Sequence, residues 1–298
     1  MKNMVFSICC IAGIVFLYSG LSPAEEGAAE PDSIPIIARL NQAQRTDLDG
    51  LLKDITNYGV CEEDLSTCLN KKPADPVALK NANIIAFLIS KGVKEEHIRR
   101  IISEKAKFAK ETKRAQLTVQ GRPTDGNPQA PIVLADFAEF KCPFCGELLP
   151  LLHRIVSASN GMVRAVFKHF PLKSHKGSLL SSCAAEAAHR QGKFWEMAAL
   201  LFKDMNNQER EHLEAHAGSI GLDMNRFKTD LDDQAVVKVI ERDKEEGLAA
   251  GVSGTPSLYI NGKAYNLPRH GSFIKDAINE EAASMGLNPP FPGNLFAE

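Results

Sequence analysis

The chain has 298 residues, 44% hydrophobic and 24% charged, with a formal net charge of −2. That length accommodates one large domain or a conventional domain with a smaller companion, and a balance so near neutrality gives no support to a nucleic-acid or polyanion partner. No low-complexity stretch dominates the chain.

Lys2 gives a positive start, Met4 to Tyr18 is an almost uninterrupted apolar run, and Ser22-Pro23-Ala24 offers small residues suited to a signal peptidase. We read residues 1–24 as an export signal, with the periplasm or extracytoplasmic envelope of a bacterium as the expected location. The run is shorter than the roughly 20 residues of a spanning helix, with retention by an uncleaved anchor as the alternative. Removal of the signal would also remove Cys9 and Cys10. In an oxidising envelope the remaining five cysteines read most simply as two pairs and a solitary Cys183.

Residues 25–33 form a polar linker, and a helical N-terminal domain is expected over 34–115. Its apolar spacing runs through Ile36, Ile37, Leu40, Leu48, Leu51, Leu52 and Ile55, then Ile84, Ile85, Phe87, Leu88, Ile98, Ile101 and Ile102. Cys61 and Cys68 lie within it. One uninterrupted helix would separate them by a rise of about 10 Å, too far for a disulfide, so a bond requires Cys61 outside the helix or a tight turn between them. Gly59 permits that, and a structural Cys61–Cys68 disulfide clipping a small helical unit is the favoured reading. A second redox pair relaying electrons is the rival.

Breaker-rich Gly121 to Ala130 lies in a second linker, 116–130, and marks the domain boundary. The second domain is expected over 131–286. Pro131 to Phe140 is apolar enough for a buried strand, and Glu147 to Val156 carries leucines at helical spacing. Between them lies Cys142-Pro143-Phe144-Cys145-Gly146. A Cys-x-x-Cys pair alone is half a zinc site, a haem motif or a redox disulfide. The haem signature fails because Gly146 follows, and no second close pair completes a metal site, so neither metal nor organic cofactor is expected. At a helix start, unpaired N–H groups and the helix dipole favour a Cys142 thiolate, and Pro143 loses no internal bond in the first turn. Cys142 is then the nucleophile that enters a mixed disulfide, and Cys145 resolves it. A structural disulfide at the same place is the inert alternative.

A second strand is expected over Met162 to Phe170. Residues 175–249 show helical spacing only and read as a helical insertion. Beta structure resumes at Pro256 to Ile260, turns at Asn261-Gly262 and leads to a helix near Ser272 to Ala283, with 287–298 as a tail. Pro256 opens its strand, where proline is tolerated and where a cis bond would turn the preceding carbonyl.

The whole set, a strand, the Cys-Pro-Phe-Cys helix, Phe170-Pro171-Leu172, Gln191-Gly192-Lys193-Phe194-Trp195 and Gly254-Thr255-Pro256, resembles the thioredoxin-like oxidoreductases of the bacterial disulfide bond A family over roughly 118–286. The resemblance implies an α/β thioredoxin-like fold with a helical insertion, here preceded by a small all-helical N-terminal unit. It further implies that Pro256 is cis and beside Cys142, that Thr255 presents backbone groups to substrate and tunes the redox balance, and that the insertion shapes a peptide groove. Members often carry histidine where this chain has Phe144. Phenylalanine cannot stabilise the thiolate by charge, so a milder oxidant with a larger apolar docking surface is expected.

Supporting residues have bland readings beside functional ones. Glu139 and Lys141 flank the strand–helix junction and could tune the field or face solvent. His169 and His175 read as ordinary structural histidines, Trp195, Phe194 and Tyr259 as core, and Cys183 as a small buried apolar group. The leading function is an exported oxidoreductase donating the Cys142–Cys145 disulfide to reduced proteins. It would require a redox partner to regenerate it, membrane-bound or not. Isomerase or reductase activity on misfolded exported proteins, and a non-catalytic peptide-binding or assembly module, are the alternatives. A homodimer through the N-terminal unit is left open.

Overall fold

The computed structural model describes residues 36–297. The expected export signal, Cys9 and Cys10, and the linker over 25–33 lie outside the described residues. Four helices come first: α1 (Gln42–Asp54), α2 (Leu65–Leu69), α3 (Pro76–Ser90) and α4 (Glu95–Lys110). Their starts follow from local chemistry. Asn41 and Gln44 close a reciprocal capping box on α1, and Asp75 caps α3 by accepting from Val77 N and Ala78 N, with Pro76 in the first turn. The same Asp75 reaches back to accept from Cys61 N at 3.0 Å. It thereby fastens the loop in which Cys61 and Cys68 form a disulfide, with Cα atoms 5.7 Å apart. Cys61 lies outside α2 and Cys68 inside it, the arrangement that escapes the helical rise.

The sheet has five strands, β1 (Thr124–Gly126), β2 (Ile132–Ala138), β3 (Val163–His169), β4 (Ser257–Ile260) and β5 (Lys263–Tyr265), in the order β1-β3-β2-β4-β5. β2 and β3 are parallel, and the other neighbours pair antiparallel. Helix α5 (Pro143–Ser157) links β2 to β3, and α6 (Ser178–His189), α7 (Phe194–Lys203), α8 (Arg210–Ser219), α9 (Met224–Leu231) and α10 (Gln234–Ala250) fill the space between β3 and β4. α11 (Gly271–Ser284) closes the order. This is an α/β thioredoxin-like fold with a helical insertion and an N-terminal helical extension.

Two features of chain organisation depart from the expected boundaries. The segment expected as a linker over 116–130 supplies strand β1, paired with β3 at Thr124 opposite Val166; three residues rich in turn formers carry too little periodicity to register as a strand. The segment expected as a tail after 286 packs inward, with Phe291 and Phe296 buried. Phe296 meets Phe87 of α3 and Phe273 of α11 at ring-centroid distances of 5.6 and 5.0 Å.

The N-terminal helices share one continuous apolar core with the sheet face that carries α5 and α11. Polar bonds also cross that junction. Lys105 of α4 is wholly buried, with its ammonium against Asp276 and 3.0 Å from Glu280 of α11. Lys80 of α3 adds contacts to the same two carboxylates. The opposite sheet face receives α10, where Gly247 lets the helix approach the rings of Phe137 and Phe170; a Cβ there would fall 2.9 Å from the Phe170 ring.

Candidate active site

Cys142 is the N-cap of α5, in an extended conformation with φ −94° and ψ 113°, and Pro143 follows at the first helical position. The carbonyl of Cys142 accepts from Cys145 N at 3.1 Å and Gly146 N at 3.3 Å, so the turn between the cysteines is the first turn of the helix. Cys142 thus stands at the N-terminal end of α5, with no capping hydrogen bond from its side chain to the helix.

Across the sheet, the loop before β4 brings the Thr255–Pro256 bond, which is cis, to the same place. The Cys142 thiol donates to the Thr255 carbonyl at 3.4 Å, and Arg269 donates to the Pro256 carbonyl at 2.9 Å. Cys145 is fully buried, while Phe144 between the two cysteines stands 59% exposed. Both cysteines are buried, Cys142 at 3% exposure, and they differ in their partners: the Cys142 thiol meets the Thr255 carbonyl of the cis-proline loop.

Asp136 is a site residue that the sequence reading did not single out. On a strand, residues two apart share a face, so Asp136 lies with Ile132 and Leu134 toward α5 and α11. Its carboxyl is buried and neither oxygen has a hydrogen-bond partner. Burial pushes its pKa up to about 7, with the Arg269 charge pulling the other way. Burial likewise drives the Cys145 thiol well above the ordinary range, and the Asp136 charge adds to that. An aspartate inside an otherwise apolar strand run was the signal available for finding it.

Glu139 was expected either to tune the site or to face solvent, and the structure buries it completely. One carboxylate oxygen accepts from Lys141 N at 3.0 Å and from the Ser178 hydroxyl, and the other meets His175 Nδ1. His175 thus reaches the strand–helix junction through Glu139. His169 is buried 3.4 Å from Glu186, Tyr259 donates its hydroxyl to the Ala250 carbonyl, and Trp195 Nε1 donates to the Thr124 carbonyl. Phe194 packs among Phe140, Phe167 and His169. Cys183 is buried in α6, and burial raises its thiol to about 11. Cys61 and Cys68 belong to the N-terminal extension and share no hydrogen bond with the Cys142–Cys145 pair among the described residues.

The geometry has counterparts among known proteins. A family model described as Thioredoxin matches residues 118–280. The Na(+)/H(+) antiporter NhaA 3 of Salinispora tropica is 32% identical over 165 residues, 55% of this chain and 25% of that protein. The antiporter NhaA of Herminiimonas arsenicoxydans is 32% identical over 138 residues, 46% of this chain and 22% of that protein. The chain thus spans about a quarter of the length of the curated relatives it matches. Among solved structures, a thioredoxin-like oxidoreductase from Silicibacter pomeroyi superposes with TM-score 0.51 at 24% identity, over 55% of this chain and 94% of that one. Oxidised BdbD from Bacillus subtilis gives 0.50 at 24%, over 57% and 97%. Those two likenesses concern the fold. With the family match running across just over half of its residues and containing the dithiol helix and the cis-proline loop, the chain belongs to the thioredoxin family.

Proposed function

We propose that this protein is an exported thiol-disulfide oxidoreductase that donates the Cys142–Cys145 disulfide to reduced proteins. The observation that carries the reading is the position of the Cys142 thiol, at a helix N-terminus and 3.4 Å from the carbonyl that precedes a cis-proline. An extended substrate segment laid against Thr255 would present its own cysteine to Cys142.

The chemistry runs in two exchanges. A substrate thiolate attacks Cys142 Sγ, the Cys142–Cys145 bond breaks, and the electron pair leaves on Cys145, which takes up a proton. A second substrate thiolate then attacks the substrate sulfur of the mixed disulfide, and the pair leaves on Cys142. The substrate has lost two electrons and the dithiol has gained them; a partner bearing a more oxidising disulfide must take them back. Asp136, buried and poised near neutrality, is the group suited to give Cys145 its proton in this direction and to accept it in the reverse. Pro256 acts with the two cysteines as a catalytic residue, Glu139, Pro143, Phe144 and Thr255 complete the site as substrate-binding or tuning residues, and Cys61–Cys68 serves as a structural clip.

Replacement of each cysteine tests the reading. Offered a disulfide-bonded peptide, the reduced Cys145→Ser variant should attack it through Cys142, release one peptide thiolate and accumulate the mixed disulfide, seen as a reductant-sensitive adduct by mass spectrometry, while Cys142→Ser should form none and oxidise no reduced peptide. Undiminished oxidation by Cys142→Ser would sink the proposal. Isomerase action by the same pair is the second reading, favoured by the exposed apolar side chain of Phe144 between the cysteines. It predicts that the reduced protein rearranges a scrambled substrate faster than the oxidised protein oxidises a reduced one.

A further inference from the structure

Glu139 is a buried carboxylate three residues before the nucleophile, and the way it is held has a consequence for the thiolate. Its backbone carbonyl accepts from Cys142 N at 3.4 Å. Its side chain accepts from Lys141 N and Ser178 Oγ, and the remaining oxygen meets the imidazole. Two buried negative charges close together oppose each other, so an uncompensated Glu139 anion would make a Cys142 thiolate costlier. His175 comes from the loop between β3 and α6, 36 positions later in the chain. Its side chain is 34% exposed, so it has solvent on one side and the buried carboxylate on the other.

We propose that His175 is a positioning residue for the redox pair: by donating from Nδ1 to Glu139 it compensates the buried carboxylate and so lowers the cost of the Cys142 thiolate. The inference rests on the reading of Cys142 as the reactive thiol. His175 exerts its effect when the mixed disulfide is resolved, because the electron pair then leaves on Cys142 Sγ and the better that sulfur bears charge, the faster the bond breaks.

His175 lies in a groove of about 500 Å³ whose walls carry other charges. Lys173 and Lys176 come from its own loop, and Glu241, Lys244 and Glu245 from α10. At the β2–α5 junction the Lys141 side chain passes beside Gly177, two residues after His175. Lys244 is engaged with the Pro171 carbonyl at 2.6 Å. Of these groups only Glu139 is hydrogen-bonded to the imidazole.

Thiolate absorbance of the reduced full chain, followed against pH, tests the inference. Cys142→Ser should remove the lowest titration step; if that step persists, the reading of Cys142 fails and this inference with it. With the step assigned, His175→Ala should move it upward by about one pH unit, a tenfold loss of thiolate below the midpoint. His175→Gln, which keeps an N–H donor in place of the imidazole, should fall between and guards against a folding defect. Glu139→Gln with His175→Ala should cancel the upward shift, which a merely structural histidine would not do. Coincident titrations of His175→Ala and the parent, or a shift that survives in the double variant, would overturn the role.

Discussion

The thiol of Cys142 donates to the carbonyl of Thr255 at 3.4 Å, joining residues 113 positions apart. Antiparallel pairing of β2 with β4 brings the two together, because the nucleophile follows the end of β2 and the loop proposed to seat its substrate precedes the start of β4. Four predictions follow from this arrangement and the groups around it.

Asp136 should make stability fall with rising pH. Its native pKa lies at about 7 against an ordinary 3.8, so between those values the folded state keeps a proton that the unfolded state has lost, and the stability contribution declines as pH rises through that window. Above about pH 8 Asp136→Asn should be more stable than the parent by a few kcal/mol at most, with the difference vanishing near pH 4. Denaturant unfolding of the reduced proteins at both pH values decides it. An equal difference at the two would contradict a raised Asp136.

Phe144→His should produce a stronger oxidant. The side chain is 59% exposed between the cysteines, so an imidazole there reaches solvent without burial and brings positive charge toward Cys142. A tenfold change in the dithiol equilibrium corresponds to about 30 mV, and a shift of at least that size toward a more oxidising potential is expected in a glutathione titration. An unchanged or more reducing value would show that Phe144 does not limit the pair.

Replacing Cys61 and Cys68 together by serine should cost about 2–3 kcal/mol of stability, the loop-closure value for a short loop. Their sequence separation is 7, and Asp75 already holds the loop through Cys61 N. The oxidation rate of a reduced peptide should be unaltered at a temperature where the variant is folded. A rate falling in proportion to the lost disulfide would instead mark the pair as an electron relay.

Lys105→Met should unfasten the N-terminal helices from α11. The ammonium is wholly buried against Asp276 and Glu280, and removing one partner of a buried ion cluster costs about 3–5 kcal/mol because charge is left uncompensated. Lys80 remains beside the same carboxylates, which places the expected loss at the lower end. Denaturant unfolding measures it, and a loss below about 1 kcal/mol would mean that water or Lys80 takes over the role.

Much of this protein was legible in its residues. Apolar spacing marked the N-terminal helices and the inserted helices, because burial of one face repeats every three to four residues, and the apolar run before Cys142 with leucines after Cys145 placed the dithiol at a strand-to-helix junction. Proline at 143 and at 256 carried local backbone information that needs no partner to be read. Strand β1 was hidden because three residues hold too little pattern, and its pairing depends on β3.

What only the tertiary structure decided is which side chains from separate elements meet. Asp136 is unremarkable as one polar residue in a strand until α5 covers it and burial raises its pKa. Glu139 and His175 have no periodic relation, and their contact exists because the loop after β3 returns to the end of β2. Periodicity reports the faces of one element against a generic core; hydrogen-bond partners and the field at a sulfur depend on sheet order and helix placement, which are properties of the folded whole.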